Sequence, residues 1–500
     1  MSTALHDVAI IGLGPAGAML ANLLGQAGLS VLVLDREAGI YPLPRAIHFD
    51  GEVMRAFQGI GLRPQVEAIS RPGLNGMRFV NADGETLMIR GGTQLNGPHG
   101  CASNYYFNQP ELEQVLREGL RRFERVQVLL RHEVLAVQDE GEQVRLTVRS
   151  PDQVEPLNLH ARYVVGCDGA RSMLRCAMGS PMHDLGLRQP WLVFDVLLRD
   201  NAPELPEHTV QYCDPARPMT WCNVTGRRRR WEIMVLPGDD PVELVKPESL
   251  WRLVSRWMSP EHAEIERAVV YTFQSVIAQG WRQGRLLLAG DAAHQTPPFL
   301  GQGMCAAIRD VANLAWKLQA VLARQAPDTL LDSYEAERSP HVHAFIELAV
   351  RLGNIIQTTD PEQARVRDAR FRQDQPEIFE FPAPRIGPGL WQGEGAPVAQ
   401  IFPQPRLADG RLLDEALGQG FSVIGLAPAL AAASAVTRAH WQASGAAVLE
   451  ACGSLQDWLQ AQAAQAVVLR PDRYIMGLAK SPGELDAITA LMPVAPLQPH

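Results

Sequence analysis

Val8-Ala9-Ile10-Ile11 is a short apolar run with the length and β-branching of a buried parallel strand. It leads into Gly12-Leu13-Gly14-Pro15-Ala16-Gly17, then a helical stretch to about Ala27, then a second strand, Val31-Leu32-Val33-Leu34, that ends on Asp35. Few architectures accept that order. Each glycine has a physical task in it: Gly12 permits the tight turn, Gly14 lets the backbone approach a pyrophosphate, and Gly17 lets helix pack on strand. The helix that starts at Pro15 offers its first free N–H groups, from Ala16 onward, and positive potential to phosphates. Asp35, with Arg36 beside it, follows Gly17 by eighteen residues, the distance at which an acid accepts from a ribose diol. The segment is expected to bind a dinucleotide. It does not separate FAD from NAD, so an NAD dehydrogenase stays a rival on this motif alone.

The same region is long and apolar enough to suggest a membrane span, since Val8 to Leu34 holds no charged residue and roughly 20 apolar residues suffice to cross a bilayer. Gly12, Gly14, Pro15, Gly17, Gly25 and Gly28 argue otherwise, because they punctuate it as strand, turn, helix and turn. The basic start of a secretory signal is missing, and a cytoplasmic chain with no membrane partner is expected. A net charge of −9 excludes the basic surface that nucleic acid or an anionic membrane rewards. Seven scattered cysteines form neither a disulfide framework nor a metal site. At 500 residues the chain exceeds one core.

Two further motifs follow. Tyr163-Val164-Val165-Gly166-Cys167-Asp168-Gly169 reads as a strand running into an Asp-Gly turn. Leu286-Leu287-Leu288-Ala289-Gly290-Asp291 is a strand ending on an acid, and it continues through Pro298-Phe299-Leu300-Gly301-Gln302-Gly303 into a periodic helix. In that helix Met304, Ile308, Val311, Leu314, Leu318 and Val321 share a face, with Arg309, Asp310 and Lys317 expected away from it. Read alone, Asp168 and Asp291 are ordinary turn formers.

Together the three motifs resemble the group A flavoprotein monooxygenases, the family of para-hydroxybenzoate hydroxylase. The resemblance implies FAD. Gly12, Gly14, Pro15, Ala16, Gly17, Asp35 and Arg36 would hold its ADP half, and Asp168 would lie near the pyrophosphate. Gly290 and Asp291 would meet the ribitol, and Pro298, Gly301, Gly303 and Met304 would line the isoalloxazine. Arg45, in Pro44-Arg45-Ala46, resembles the family's arginine loop, and Gln109 matches a position near the ribitol. Tyr212-Cys213-Asp214-Pro215-Ala216-Arg217-Pro218 and Asn313-Leu314-Ala315-Trp316-Lys317-Leu318 are similar to the 3-(3-hydroxyphenyl)propionate hydroxylases within that family. The implied cycle has NADH or NADPH reduce the flavin, O₂ add to it as a C4a-hydroperoxide, and one oxygen atom pass to a phenolic ring, such as that of a hydroxyphenyl-alkanoic acid.

The expected fold is α/β. A Rossmann-type FAD domain spans 1–180 and 276–360, and a β-sheet substrate domain is inserted at 181–275. A linker at 361–405 leads to a thioredoxin-like domain at 406–500, which lacks the redox cysteine pair and is expected to serve packing or homodimer contacts. His48, Tyr212, Trp221, Met234 and Pro298 are the candidate substrate contacts, with no residue assigned to catalysis. The Arg227–Arg230 run is expected at a solvated hairpin tip, because adjacent strand residues face both ways. Another FAD enzyme on this fold (halogenase, oxidase or reductase) and a non-catalytic flavin-binding protein stay open.

Overall fold

The computed structural model describes residues 5–372, 376–379 and 383–494. Its first sheet runs in the order Arg282–Gln283, Leu286–Leu288, Leu157–Gly166, Leu5–Ile11, Val31–Asp35, Val126–Leu130, with an antiparallel extension, Val144–Arg149 and Glu133–Asp139. From Leu286–Leu288 to Val126–Leu130 the neighbours are parallel. Parallel strands covered on both faces must be apolar throughout. Accordingly Val8, Ala9, Ile10, Val164, Val165, Leu287 and Leu288 are fully buried. Each large one contributes about 1.5–3 kcal/mol of burial. The helices Pro15–Gln26 and Gly303–Leu322 pack on each other over this sheet, so their N-termini meet at the strands' C-terminal ends.

A nine-stranded second sheet forms the opposite wall. Its long pair, Met182–Leu198 and Ala263–Ala278, continues through Arg228–Met234, Met219–Asn223 and Thr209–Tyr212. It then recruits Met77–Val80, Thr86–Arg90 and Glu377–Phe379, all from outside the 181–275 stretch. The turn at Gly226 has φ +56°.

The stretch after residue 360 is more ordered than its Pro and Gly content suggests. Asp360 caps a helix, Pro361–Phe371, by accepting from Gln363 N–H at 2.8 Å, and Glu377–Phe379 joins the second sheet. Residues 373–375 and 380–382 of this stretch, together with 1–4 and 495–500, lie outside the described residues. The tail is a four-stranded mixed sheet in the order Ala447–Glu450, Ser422–Gly425, Ala466–Leu469, Ile475–Ala479, flanked by helices in a thioredoxin-like arrangement. Among the described residues, no helix is long and apolar enough to cross a membrane.

Candidate active site

A groove of about 400 Å³ runs past the C-terminal ends of Leu5–Ile11 and Val31–Asp35. It opens into a cavity of about 310 Å³ between the helix N-termini and the second sheet. The two share Gly14, Pro15, Arg45, Gln109, Cys167 and Gly169, so they form one continuous site.

The groove is built by backbone crowding. Gly12 has φ +99°, and a Cβ there would stand 2.4 Å from the Cys167 carbonyl oxygen; a Cβ on Gly17 would stand 2.0 Å from the Gly12 oxygen. Both clashes are with backbone and cannot be relieved by side-chain rotation. Gly14 differs, since a Cβ there meets nothing within 4 Å. It is the N-cap residue of Pro15–Gln26 and supplies no side-chain cap, so the first-turn N–H groups are left for a ligand. Asp35 is oriented by the same loop, accepting from Leu13 N–H at 2.7 Å and Glu37 N–H at 2.8 Å. Arg36 is exposed at the groove's rim. Asp168 Oδ2 accepts from Met173 and Leu174 N–H, which ties its turn, while Oδ1 is buried without a partner.

At the junction, Gly290 adopts φ +64°, and a Cβ there would come within 3.1 Å of the Ala307 Cβ. This close approach sets Asp291 on the cavity wall with Ala16; its side chain is open to the cavity, yet the protein packed around it raises its carboxyl above the ordinary value against the pull of His294 and Arg45. His294 itself is turned inward, 2.6 Å from Asp310, and Asp310 also accepts from Gly290 N–H. Gln109 proves to be a brace: its Oε1 accepts from Arg45 and Ala46 N–H at 3.1 and 2.6 Å. The Arg45 guanidinium lies over Tyr41, 5.2 Å from the ring centre.

Pro298, Gly301, Gly303 and Met304 line the cavity at the start of Gly303–Leu322, another helix N-terminus without a side-chain cap. The polar face of that helix is not solvated. Arg309, Asp310 and Lys317 are buried, paired with Asp50 and Glu52, with His294 and Arg338, and with Glu337 respectively. The helix is enclosed by the first sheet, Asp332–Ile356 and the tail, so its charges are matched internally.

On the sheet side, strand alternation decides which side chains reach the cavity. Thr209 and Gln211, Thr220 and Cys222, and Arg230 and Glu232 line it. Tyr212 and Trp221 have the opposite parity and are corrected: Tyr212 packs on Trp257, and Trp221 lies edge-on to Trp231 with its centroid 4.5 Å away. Met234 shares the parity of Glu232 but lies beyond the cavity, packed in the apolar cluster of Trp191 and Phe299. His48 does line it, with Arg90, Tyr106 and Thr296, none of which stood out in the sequence. Arg230 is also corrected. It is 2% exposed, donates to Asp195 at 2.7 and 3.0 Å, and holds the Pro44 and Arg45 carbonyls at 2.7 Å each. Only the neighbouring Arg227, Arg228 and Arg229 retain solvent contact.

An FAD binding domain model matches residues 6–349, and an HcaD C-terminal domain model matches 399–493. The chain is 38% identical to a probable NADH-specific resorcinol 4-hydroxylase of Rhodococcus jostii (strain RHA1), over 98% of this chain and 96% of that one. It is 33% identical to a 3-(3-hydroxy-phenyl)propionate/3-hydroxycinnamic acid hydroxylase of Klebsiella pneumoniae, over 95% and 92% of the two chains. In fold it is similar to aklavinone-11 hydroxylase, solved with FAD and aklavinone, at TM-score 0.81 and 22% identity, covering 98% of this chain and 100% of that one. The site suits FAD: uncapped helix N-termini, an open Gly14 and two carboxylates, Asp35 and Asp291, are strung along one groove. With a model matching well over half the sequence and relatives above 30% identity along nearly all of it, the chain belongs to the family of FAD-dependent monooxygenases that hydroxylate aromatic rings.

Proposed function

We propose that the chain hydroxylates a small meta-substituted phenol, with NADH as reductant, and that His48 takes the phenolic proton. The observation that carries this is the cavity wall on which His48 and the Arg90 guanidinium stand together. Asn104 donates its amide N–H to the Gly92 carbonyl, so its Oδ1 is the atom that faces His48 Nε2, at 2.8 Å. Nε2 is therefore placed to donate to Asn104, while Nδ1 faces the Gly301 carbonyl at 3.4 Å. Burial, and then the nearby Arg90 charge, lower the imidazole to about 4, so it stands neutral at physiological pH. An imidazolium formed there would donate to both facing oxygens, Asn104 Oδ1 and the Gly301 carbonyl. The buried Arg90 guanidinium on the same wall favours a phenolate over a phenol.

FAD, when bound, accepts hydride from NADH and passes one atom of O₂ to the ring, the other leaving as water. The chain's own work is to bind, orient and deprotonate the phenol and to exclude water. Asp35 would hold the ribose and Asp291 the ribitol. Pro298 to Met304 would lie beside the flavin ring, where a helix N-terminus favours the anionic reduced form by up to about 1–2 kcal/mol. Gly14→Val adds bulk only where the groove is open. The variant is therefore expected to fold, with an unchanged circular dichroism spectrum, yet to purify colourless; retained FAD would contradict the assignment.

The two named relatives act on resorcinol and on 3-hydroxyphenyl acids, which share a meta-substituted phenol. Beside the charged Arg90, Arg230 and Glu232, the cavity presents Thr209, Gln211 and Thr220 as uncharged hydrogen-bonding groups, chemistry that matches a second hydroxyl. Dependence on a cellular dinucleotide pool suits a cytoplasmic site of action. Titrating the holoenzyme's visible spectrum with resorcinol and with 3-(3-hydroxyphenyl)propionate tests the substrate class. The diol is expected to bind about tenfold more tightly, a difference of about 1.4 kcal/mol. A preference for the acid would overturn this reading.

A further inference from the structure

We infer that the C-terminal domain positions the flavin-facing loop, acting through the hydroxyl of Tyr474. Tyr474 is buried where the tail meets the FAD domain, and its hydroxyl donates to Glu52 Oε1 at 3.1 Å. Glu52 Oε2 accepts from Arg309 Nε at 2.6 Å. Arg309 then divides its remaining donors between the two sides of the site: Nη1 to Gln302 Oε1 at 3.0 Å and Nη2 to Asp50 Oδ2 at 2.6 Å. Gln302 closes the triangle by donating from Nε2 to the same Asp50 oxygen at 3.1 Å.

Those two ends matter for different reasons. Asp50 ends the strand His48–Asp50 and fixes where His48 stands. Gln302 lies between the cavity-lining Gly301 and Gly303. Its side chain does not cap its own helix and is spent on this network instead. Gly301 and His48 are also in direct contact, since a Cβ on Gly301 would stand 3.0 Å from His48 Nδ1. The base and the loop are thus locked to one guanidinium, whose orientation depends on Glu52, and Glu52 is held on its free side by the tail.

The hydrogen bond from Tyr474 adds little to the attachment of the tail. That attachment rests on buried ion pairs elsewhere, Arg470 with Glu337 and Arg55 with Asp414. Tyr474 is a positioning residue in this account. Without its hydroxyl, Glu52 is free to turn, Arg309 follows, and the loop loses one of its fixed points. A loosely held loop admits water and lets O₂ be reduced to hydrogen peroxide by NADH without oxygen reaching the ring.

The inference rests on reading Pro298 to Met304 as the stretch beside the flavin ring, so the test includes a variant that reports on that reading alone. In the FAD-loaded protein, Tyr474→Phe is expected to shift the visible absorption of the bound flavin. It should also raise the share of NADH oxidation ending in hydrogen peroxide about fivefold, the effect that losing one ordinary hydrogen bond permits. Glu52→Gln should reproduce both changes and serves in place of Tyr474→Phe if that variant folds poorly. Phe421→Ala, which loosens the tail where that ring packs edge-on against Trp316, far along Gly303–Leu322 from Gln302, should lower the unfolding midpoint and leave spectrum and peroxide share unchanged. The inference is overturned if Tyr474→Phe and Glu52→Gln leave both readouts at the parent values, or if Phe421→Ala shifts them equally. Gly301→Ala, strained at φ +65° and crowding His48, must shift the flavin spectrum. If it does and Tyr474→Phe does not, the tail's role fails alone; if Gly301→Ala is silent, the loop assignment fails and the inference falls with it.

Discussion

His48→Ala is expected to slow ring hydroxylation by about 10²–10⁴-fold, the contribution of a well-placed general base, while FAD stays bound. The reason lies in the substrate's chemistry. A phenol becomes electron-rich at its ortho and para carbons as its proton leaves, yet an unperturbed phenol loses that proton only near pH 10. In the proposed mechanism His48, kept neutral by burial and by Arg90, supplies the acceptor at neutral pH. The pH dependence follows in sign. A base lowered to about 4 is available above that pH, so kcat/KM of the parent enzyme should fall only as the pH drops towards 4. In His48→Ala the rate should instead climb as the pH rises towards 10, where the phenol ionises unaided. Rapid-quench measurement of product formed per reduced enzyme across pH 6–10 gives the comparison. An unchanged rate at pH 7 would remove His48 from the mechanism.

Glu337→Gln is expected to destabilise the folded chain by about 3–5 kcal/mol, the usual cost of breaking a buried ion pair from one side. Glu337 sits on Asp332–Ile356 with no exposed surface and accepts from Arg470 twice at 2.8 Å, from Lys317 at 2.7 Å and from Asn313 at 2.8 Å. The amide keeps the shape but removes the charge, leaving Lys317 and Arg470 buried with Asp472 as their remaining carboxylate. Burial pushes the Glu337 carboxyl up, but the Arg470 and Lys317 charges prevail and hold it at about 2, below its ordinary 4.5. A carboxyl depressed in the folded state stabilises fully above its unfolded value and loses that contribution as pH falls. The parent enzyme should therefore weaken between about pH 4.5 and 2, and Glu337→Gln should lose that part of the dependence. Urea midpoints measured at a series of pH values decide the point; a change under 0.5 kcal/mol at pH 7 would contradict it.

The parts of the site legible in the sequence are those fixed by local backbone geometry. Gly12, Gly14 and Gly17 with Asp35 form a unit in which every spacing has a steric or hydrogen-bonding cause, and Gly290 with Asp291 is a second. The sheet wall was harder, because choosing Tyr212 and Trp221 favoured the large side chains over the parity of their strands. Had those aromatics been assigned to the core, alternation alone would have put Thr220, Cys222 and Gln211 on the cavity. Buried charge was the other blind spot. Arg230, Arg309 and Lys317 look solvated in one dimension. Their partners, Asp195, Asp50 and Glu337, come from strands and helices that only the fold brings near. Two of the tail's four strands, Ser422–Gly425 and Ala466–Leu469, are legible as short apolar runs, but the tail's contacts with Glu52 and Glu337 are not, since no local pattern encodes a docking surface.

The most direct measurement of the central claim is NADH oxidation by the purified yellow protein in air, with and without resorcinol, followed by mass analysis of the product. The account predicts that resorcinol accelerates NADH oxidation and gains one oxygen atom, with close to one product formed per NADH consumed. NADH oxidation that no phenol accelerates, or that is accelerated with only hydrogen peroxide formed, would contradict it.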